Sequence, residues 1–161
     1  MVSTPSSDYT ATLPRKRMGA AVLITDAAGR ALLVEPAYKD YWEIVGGCVD
    51  ADESPRQAAV REAKEELGKS IVPGRLLVTD WVPPRPDRTE GMMFVYDGGT
   101  LDGHGTADFH LPPDELRSWA WCDQEQIRDR MSERLARRIT AALRAKAEGT
   151  MVDLEDGFYT H

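Results

Sequence analysis

One predicted helix, bounded by clear start and stop signals, constrains the fold of this chain more than any other segment. At its start, Ser54 can cap the first backbone amides, and Pro55 is preset for the first helical position. Gln57 can complete a capping box with Ser54, and Gly68 is a favourable C-terminal stop. Small or apolar residues fall at helical spacing on one side of the segment, at Ala59, Val60, Ala63 and Leu67. The sequence therefore predicts an amphipathic helix.

Three glutamates, Glu62, Glu65 and Glu66, gather on another side of this helix. Like charges three and four residues apart cost about 0.2–0.5 kcal/mol per pair, so something should offset them. A hard divalent cation would do so, because Mg²⁺ binds through a few carboxylates together with substrate phosphates. A solvated polar face is the common alternative, but the spacing of Gly47 and Glu53 before the cluster favours a site for metal-assisted chemistry on a phosphate.

The residues before the helix support the same interpretation. The segment 42–47 reads as a strand that ends in two glycines, which let the backbone come close to a ligand or ion. Gly47 could then offer its carbonyl oxygen to a metal. Glu53 lies eight residues before Arg61, too far for a pair within one helix, so it would have to reach Arg61 from the preceding loop. We expect the two to brace that loop and orient the carboxylates.

These residues together resemble the signature of the Nudix hydrolases, G-x5-E-x7-R-E-U-x-E-E-x-G-U, where U is a bulky aliphatic residue. The resemblance covers about 23 of the 161 residues. With each residue type used at roughly 6%, seven such matches have a chance probability on the order of 10⁻⁶. Two positions depart from the pattern, the small Ala63 and the charged Lys69, and neither removes a candidate ligand. The matching run is Gly47-x5-Glu53-x7-Arg61-Glu62-Ala63-x-Glu65-Glu66-x-Gly68.

The resemblance implies an α/β fold, a Nudix-type α/β/α sandwich with a mixed central sheet. It also implies hydrolysis of a nucleoside diphosphate linked to another moiety, with Mg²⁺ or Mn²⁺ as cofactor and a small-molecule nucleotide as substrate. Carried over by position, the resemblance implies two groups of residues, metal ligands and a pair that orients them. The ligands would be Glu62, Glu65, Glu66 and the Gly47 carbonyl, and the orienting pair would be Arg61 and Glu53.

The general base is left open between Glu66 on the helix and Glu115 on a later loop. Glu115 precedes the strand-like segment 119–121, where the resemblance implies a catalytic or ligating glutamate, although a turn or helix cap is the simpler interpretation. In the mechanism implied, a metal-activated water attacks one phosphorus of a diphosphate bridge.

Substrate-binding candidates lie outside the signature. Arg85 and Arg88 belong to the proline-rich loop 83–88, which cannot be a sheet interior and is expected to border the pocket. Their guanidinium groups could fork onto phosphates, with plain solvated charges as the alternative. Aromatic side chains are more often part of a core, but one or two of five candidates could stack on a base: Trp42, Tyr38, Tyr41, Trp81 and Phe94.

Several functions remain open at this stage. The substrate could be a nucleoside triphosphate, ADP-ribose or a nucleotide sugar, a dinucleoside polyphosphate, or a capped RNA end. A non-catalytic nucleotide-binding regulatory module on the same fold is the main alternative, but such modules usually lose signature carboxylates that this chain keeps. Isomerisation of an isoprenoid diphosphate is disfavoured, because Cys48 has no partner motif.

Composition sets the remaining limits. The chain of 161 residues suits a single domain at 15–161 after a flexible segment at 1–14. Its net charge of −7 disfavours long nucleic acid and anionic membrane as partners. Two cysteines without a signal peptide indicate a reducing, cytoplasmic setting, and Cys48 is expected to be a small buried packing residue. The basic predicted helix 132–147 would cover the sheet and could also support a homodimer.

The remaining elements follow from alternation and turn signals. Strands are predicted at 18–25 and 31–35, joined by a turn at 26–29, and this hairpin is expected at the heart of the sheet. Further strands are predicted at 75–82 and 92–96, and a further helix is predicted to begin at Asp123.

Overall fold

The computed structural model describes residues 7–161, and its helices and strands build one sheet with helices on both faces. The helices are α1 (Ser7–Thr12), α2 (Pro55–Leu67), α3 (Gly103–Thr106), α4 (Gln124–Arg130) and α5 (Glu133–Glu148). The strands are β1 (Arg17–Thr25), β2 (Ala31–Pro36), β3 (Val45–Cys48), β4 (Leu76–Val82), β5 (Gly91–Thr100), β6 (Leu116–Cys122), β7 (Val152–Glu155) and β8 (Phe158–Tyr159). Among the described residues, no helix has the length and apolar character needed to cross a bilayer.

The sheet is mixed, with strand order β6-β2-β1-β5-β4-β7-β8 and β3 paired to β1 beside this path. The β1–β5 and β4–β7 pairs are parallel, and the remaining pairs are antiparallel. β1 and β2 pair only beside their turn, at Thr25 and Ala31, because β3 occupies the edge of β1 from Gly19 to Val22. The predicted hairpin therefore opens to admit the glycine-bearing strand.

Two hydrophobic cores lie on opposite faces of the sheet. Successive residues of β1 alternate between them: Leu23 packs in the core with α4 and α5, while Val22 and Ile24 pack in the core with α2. This alternation is what a strand buried on both faces requires. The arrangement confirms the predicted α/β/α sandwich with a mixed sheet.

The structure has elements near both ends of the chain that the sequence did not predict. Of the segment 1–14, residues 1–6 lie outside the described part of the structure, and α1 is a short helix for which no element was predicted. The flexibility of the segment 1–14 and the bounds of the single domain, 15–161, stay predictions. At the other end, the unpredicted strands β7 and β8 extend the sheet beyond β4.

A buried ion pair anchors this C-terminal extension. Asp80 of β4 is fully buried and accepts hydrogen bonds from Arg138 Nε at 2.7 Å and from the Gly157 amide at 3.0 Å. Gly157 adopts a left-handed φ of 78° in the β7–β8 turn. One carboxylate thus joins β4, α5 and the final hairpin.

Candidate active site

The α2 helix has the ends that its sequence predicts. The Ser54 hydroxyl accepts from the Gln57 amide at 3.1 Å, and the Gln57 side chain accepts from the Ser54 amide at 2.9 Å. Gly68 ends the helix with a left-handed φ of 70°. The predicted apolar side is wrong at one position, because Val60 is 39% exposed, whereas Glu66 is buried with only 7% exposed. The helix therefore turns one glutamate inward.

The two glycines of β3 let its backbone lie directly against the glutamates of α2. The Gly46 amide donates to Glu66 Oε1 at 3.3 Å. A Cβ at Gly47 would clash with the Glu62 carboxylate, and one at Gly46 would meet the Ala20 carbonyl oxygen at 2.5 Å. A side chain at Gly47 would thus displace the Glu62 carboxylate, and one at Gly46 would push β3 away from β1.

Arg61 connects the loop before α2 to the carboxylates on it. Its Nε and Nη2 donate to the two Glu53 oxygens at 2.8 and 2.9 Å, so Glu53 reaches Arg61 from the loop. Nη1 donates to Glu62 at 3.1 Å and to Glu65 at 3.2 Å, and Nη2 also donates to the Cys48 carbonyl at 2.9 Å. The hydrogen bonds from Arg61 lower the pKa of Glu53 to about 2. One guanidinium therefore fixes the loop and partly neutralises two candidate ligands.

Glu62 and Glu66 lie one turn apart on α2, and both face the glycine backbone of β3. Burial raises the pKa of Glu66 to about 9; the Gly46 hydrogen bond opposes this, while the charges of Glu62 and Glu43 add to it. Burial also raises the pKa of Glu62, although Arg61 acts in the opposite direction. Two carboxylates at this distance repel, so they need either a shared proton or a cation.

The chemistry of these donors suits a hard divalent cation. Carboxylate and carbonyl oxygens are the ligands that Mg²⁺ and Mn²⁺ prefer. Glu65 is half exposed and turned toward Arg61, and within residues 7–161 no three acidic, His or Cys side chains converge as a ready-made metal site. Glu65 would therefore have to rotate from Arg61 toward Glu62 and Glu66 to complete the set.

Glu115 lies beside the loop that follows β2. Its carbonyl oxygen accepts from the Ala37 amide at 2.7 Å, which fixes the start of β6 to the loop after β2. Burial first, and then the charges of Glu43, Glu66 and Glu115, raise the pKa of Tyr38, with Lys39 opposing them. Glu115 and Glu66 thus both act on the Tyr38 phenol. Its role as general base stays a prediction.

Arg85 and Arg88 lie on a tight turn between β4 and β5. Their backbones are joined by two hydrogen bonds, of 2.8 and 3.0 Å. Arg17, which no sequence pattern singled out, donates from Nε to the Thr89 carbonyl at 2.8 Å and ties this turn to β1. Burial first, then the charges of Arg88 and Arg85, lower the pKa of Arg17. A group of three guanidinium groups therefore stands at this end of the sheet, near Cys48.

Trp42 packs against the core under α5, and the Arg130 guanidinium lies 4.5 Å from the centre of its ring. One face of the indole is therefore covered, and base stacking, which stays a prediction, would have to use another face.

The prediction of a buried Cys48 is wrong: the residue is exposed, because it ends β3 where the chain leaves the sheet.

Comparison with known proteins gives consistent results. A family model described as the NUDIX domain matches residues 15–143. The CTP pyrophosphohydrolase of Escherichia coli (strain K12) is 33% identical over 116 residues, which cover 69% of this chain and 79% of that protein.

Two solved structures share the fold. One is a MutT protein from Methanosarcina mazei Go1, with a TM-score of 0.67 and 23% identity over 86% of this chain and 99% of that one. The other is a UDP-X diphosphatase, with a TM-score of 0.74 and 19% identity over 92% of this chain and 71% of that one. At such identities the likeness concerns architecture.

Proposed function

Because this chain belongs to the NUDIX family and is a Nudix pyrophosphohydrolase, we propose that it hydrolyses a nucleoside triphosphate with the help of Mg²⁺ or Mn²⁺. CTP is the first candidate substrate, cleaved to CMP and pyrophosphate. The observation that carries this proposal is the Glu62–Glu66 carboxyl pair, held against the two glycines of β3 and flanked by Arg61.

The choice of a nucleoside triphosphate is supported by the identity to a protein named for its action on CTP. The chain is 19% identical to a UDP-X diphosphatase and 18% identical to an ADP-ribose pyrophosphatase of known structure. Identities this low support only the shared fold. ADP-ribose and nucleotide sugars are therefore competing substrates to be tested beside CTP.

Glu62, Glu65, Glu66 and the Gly47 carbonyl are the residues that would hold the metal. A divalent cation in such a site neutralises charge on phosphate oxygens and makes a bound water more acidic. Arg61 keeps Glu62 oriented, and Glu53 fixes Arg61 through two hydrogen bonds. Mutating such outer partners typically costs 10–100-fold in metal affinity or activity, to order of magnitude.

We assign the general base to Glu115. Glu66 is engaged by the Gly46 amide and by Glu62, so its carboxyl group is committed to the ligand set. Glu115 lies outside that set, and because its charge and that of Glu66 both act on Tyr38, we take it as the group that accepts a proton from the attacking water. We further propose that the guanidinium groups of Arg85 and Arg88 bind the anionic substrate.

A product assay tests the proposal. Wild-type protein is incubated with CTP, other nucleoside triphosphates, ADP-ribose, nucleotide sugars and dinucleoside polyphosphates, with Mg²⁺, Mn²⁺ or EDTA, and the products are separated by chromatography. Glu65→Gln should remove turnover, whereas the matched control Glu148→Gln, an exposed glutamate on α5, should keep it. A folded wild type that binds CTP but hydrolyses none of these compounds would instead indicate a nucleotide-binding module.

A further inference from the structure

A lysine flanked by two exposed tyrosines lies beside the carboxylates. Lys39 belongs to the loop 37–42 between β2 and β3, and its Nζ is 2.5 Å from Glu43 Oε1. The same Nζ is 5.2 Å from the centre of the Tyr38 ring and 5.5 Å from that of Tyr41. The tyrosines remain 70% and 41% exposed, respectively, so much of each ring is open to solvent.

Backbone hydrogen bonds fix both ends of this loop. Glu43 and Val34 exchange two hydrogen bonds, of 2.7 and 3.0 Å, and the Ala37 amide donates to the Glu115 carbonyl at 2.7 Å. The carboxylate that holds Lys39 is therefore anchored to the sheet. A cation held in this way has a defined position before any ligand binds.

The loop leads directly into β3, because Glu43 lies three residues before Gly46, whose amide donates to Glu66 Oε1 at 3.3 Å. The charge of Glu43 acts on Glu66, and the charges of Glu66 and Glu115 act on Tyr38. Of the four charged groups that contribute most at Tyr38, Lys39 is the positive one. Of the cations beside this loop, Arg117 is engaged by the Ala37 carbonyl at 2.8 Å, whereas Lys39 carries its ammonium between two exposed rings and can attract an anionic substrate.

We propose that Lys39, Tyr38 and Tyr41 form a substrate-binding subsite. In it, the Lys39 ammonium binds a phosphate oxygen and an outer tyrosine face covers the base. An ammonium has three N–H donors, so binding Glu43 leaves donors for a phosphate. Aromatic rings stack on every base because each base has a π face. This inference rests on the proposed nucleotide substrate and assigns which residues hold it.

The kinetic test compares Lys39→Met with Lys39→Arg and with the matched control Lys146→Met. Lys146 is similarly half-buried and pairs with Asp97 at 2.8 Å, far along the chain on α5. With CTP as substrate, Lys39→Met should raise KM about tenfold, with kcat within threefold of wild type. Lys39→Arg should restore most of the KM, and Lys146→Met should leave it unchanged. An unchanged KM in folded Lys39→Met would overturn the proposal.

A double variant separates direct binding from exposure of an unpaired carboxylate. Lys39→Met leaves Glu43 without its cation, which by itself would repel phosphate. If repulsion were the whole effect, Lys39→Met/Glu43→Gln would recover the wild-type KM, and the proposal would fail. If Lys39 binds phosphate, KM stays high in the double variant.

Competition by inorganic tripolyphosphate tests the aromatic part. Tyr38→Leu and Tyr41→Leu should weaken the binding of CTP. They should leave inhibition by tripolyphosphate unchanged, because tripolyphosphate has no base. Lys39→Met should weaken both CTP binding and inhibition by tripolyphosphate. Equal CTP affinity in the tyrosine variants and the wild type would overturn the stacking role. Calorimetric binding of CTP in EDTA repeats the comparison without turnover, so a wild type that binds CTP without hydrolysing it would refute only the proposed function.

Discussion

The carboxyl groups of Glu62 and Glu66, one turn apart on α2, both lie against the glycine backbone of β3, and burial raises the pKa of Glu66 to about 9. The Gly46 amide donates to Glu66, and the absence of a side chain at Gly47 leaves room for the Glu62 carboxylate against the strand. The folded protein therefore holds a site that favours either a proton or a cation.

The first prediction concerns the pH dependence of the metal-free protein. The pKa of Glu66 is about 9 when folded and near its ordinary value of 4.5 when unfolded, so between these values the folded state binds more protons. Stability must then fall as pH rises through this window. We expect the melting temperature in EDTA to drop by at least about 3 °C between pH 5 and pH 9 in wild type and less in Glu66→Gln. Calorimetry at several pH values measures the melting temperature. If it depended on pH in the same way in both proteins, the raised pKa of Glu66 would be refuted.

A second prediction concerns Arg61. Lysine keeps the charge but cannot reproduce the fork to Glu53 together with the bonds to Glu62, Glu65 and the Cys48 carbonyl. Arg61→Lys should lower metal affinity by about 10–100-fold, measured by titrating activity with Mn²⁺. Arg56→Lys is the matched control, since this arginine on the same helix donates to the Pro73 and Gly74 carbonyls. Equal losses in both variants would mean that α2 is merely sensitive to losing any arginine.

A third prediction concerns Gly47. A methyl group there would clash with the Glu62 carboxylate, so Gly47→Ala should displace this ligand and lower kcat by about 10–100-fold while the protein still folds. Gly103→Ala serves as control, because a Cβ at Gly103 meets open space. Circular dichroism establishes folding, and wild-type kcat in folded Gly47→Ala would show that the strand yields without moving Glu62.

Sequence patterns predict the parts of this site that depend on neighbouring residues. The caps of α2 at Ser54 and Gly68 are local, and the Glu53–Arg61 contact follows from fixed spacing. The burial of Glu66 and the exposure of Val60 were not predicted, because the position of β3 on the helix decides which polar residue turns inward.

Residues brought in by distant segments gave no sequence signal. Lys39 gains its role only when the loop 37–42 closes on Glu43 and Glu115, and Arg17 only when β1 pairs beside the turn 85–88. The strands β7 and β8 are only four and two residues long, too short for alternation to reveal them. They form because β4 offers an edge and Asp80 receives the Gly157 amide.

The last prediction tests that anchor. Asp80→Ala removes the acceptor for both Arg138 and the Gly157 amide and leaves the nine-tenths buried Arg138 unpaired. Breaking a buried pair from one side costs about 3–5 kcal/mol, whereas replacing both partners by apolar residues is often close to neutral. Asp80→Ala should therefore lower the free energy of unfolding by about that amount, and Asp80→Leu/Arg138→Met by clearly less, as measured by urea denaturation. The double variant should still lose something, since the Gly157 amide keeps no acceptor. If the double variant were as unstable as Asp80→Ala, the cost would lie in the lost Gly157 bond and packing of β8, and the ion pair would contribute little.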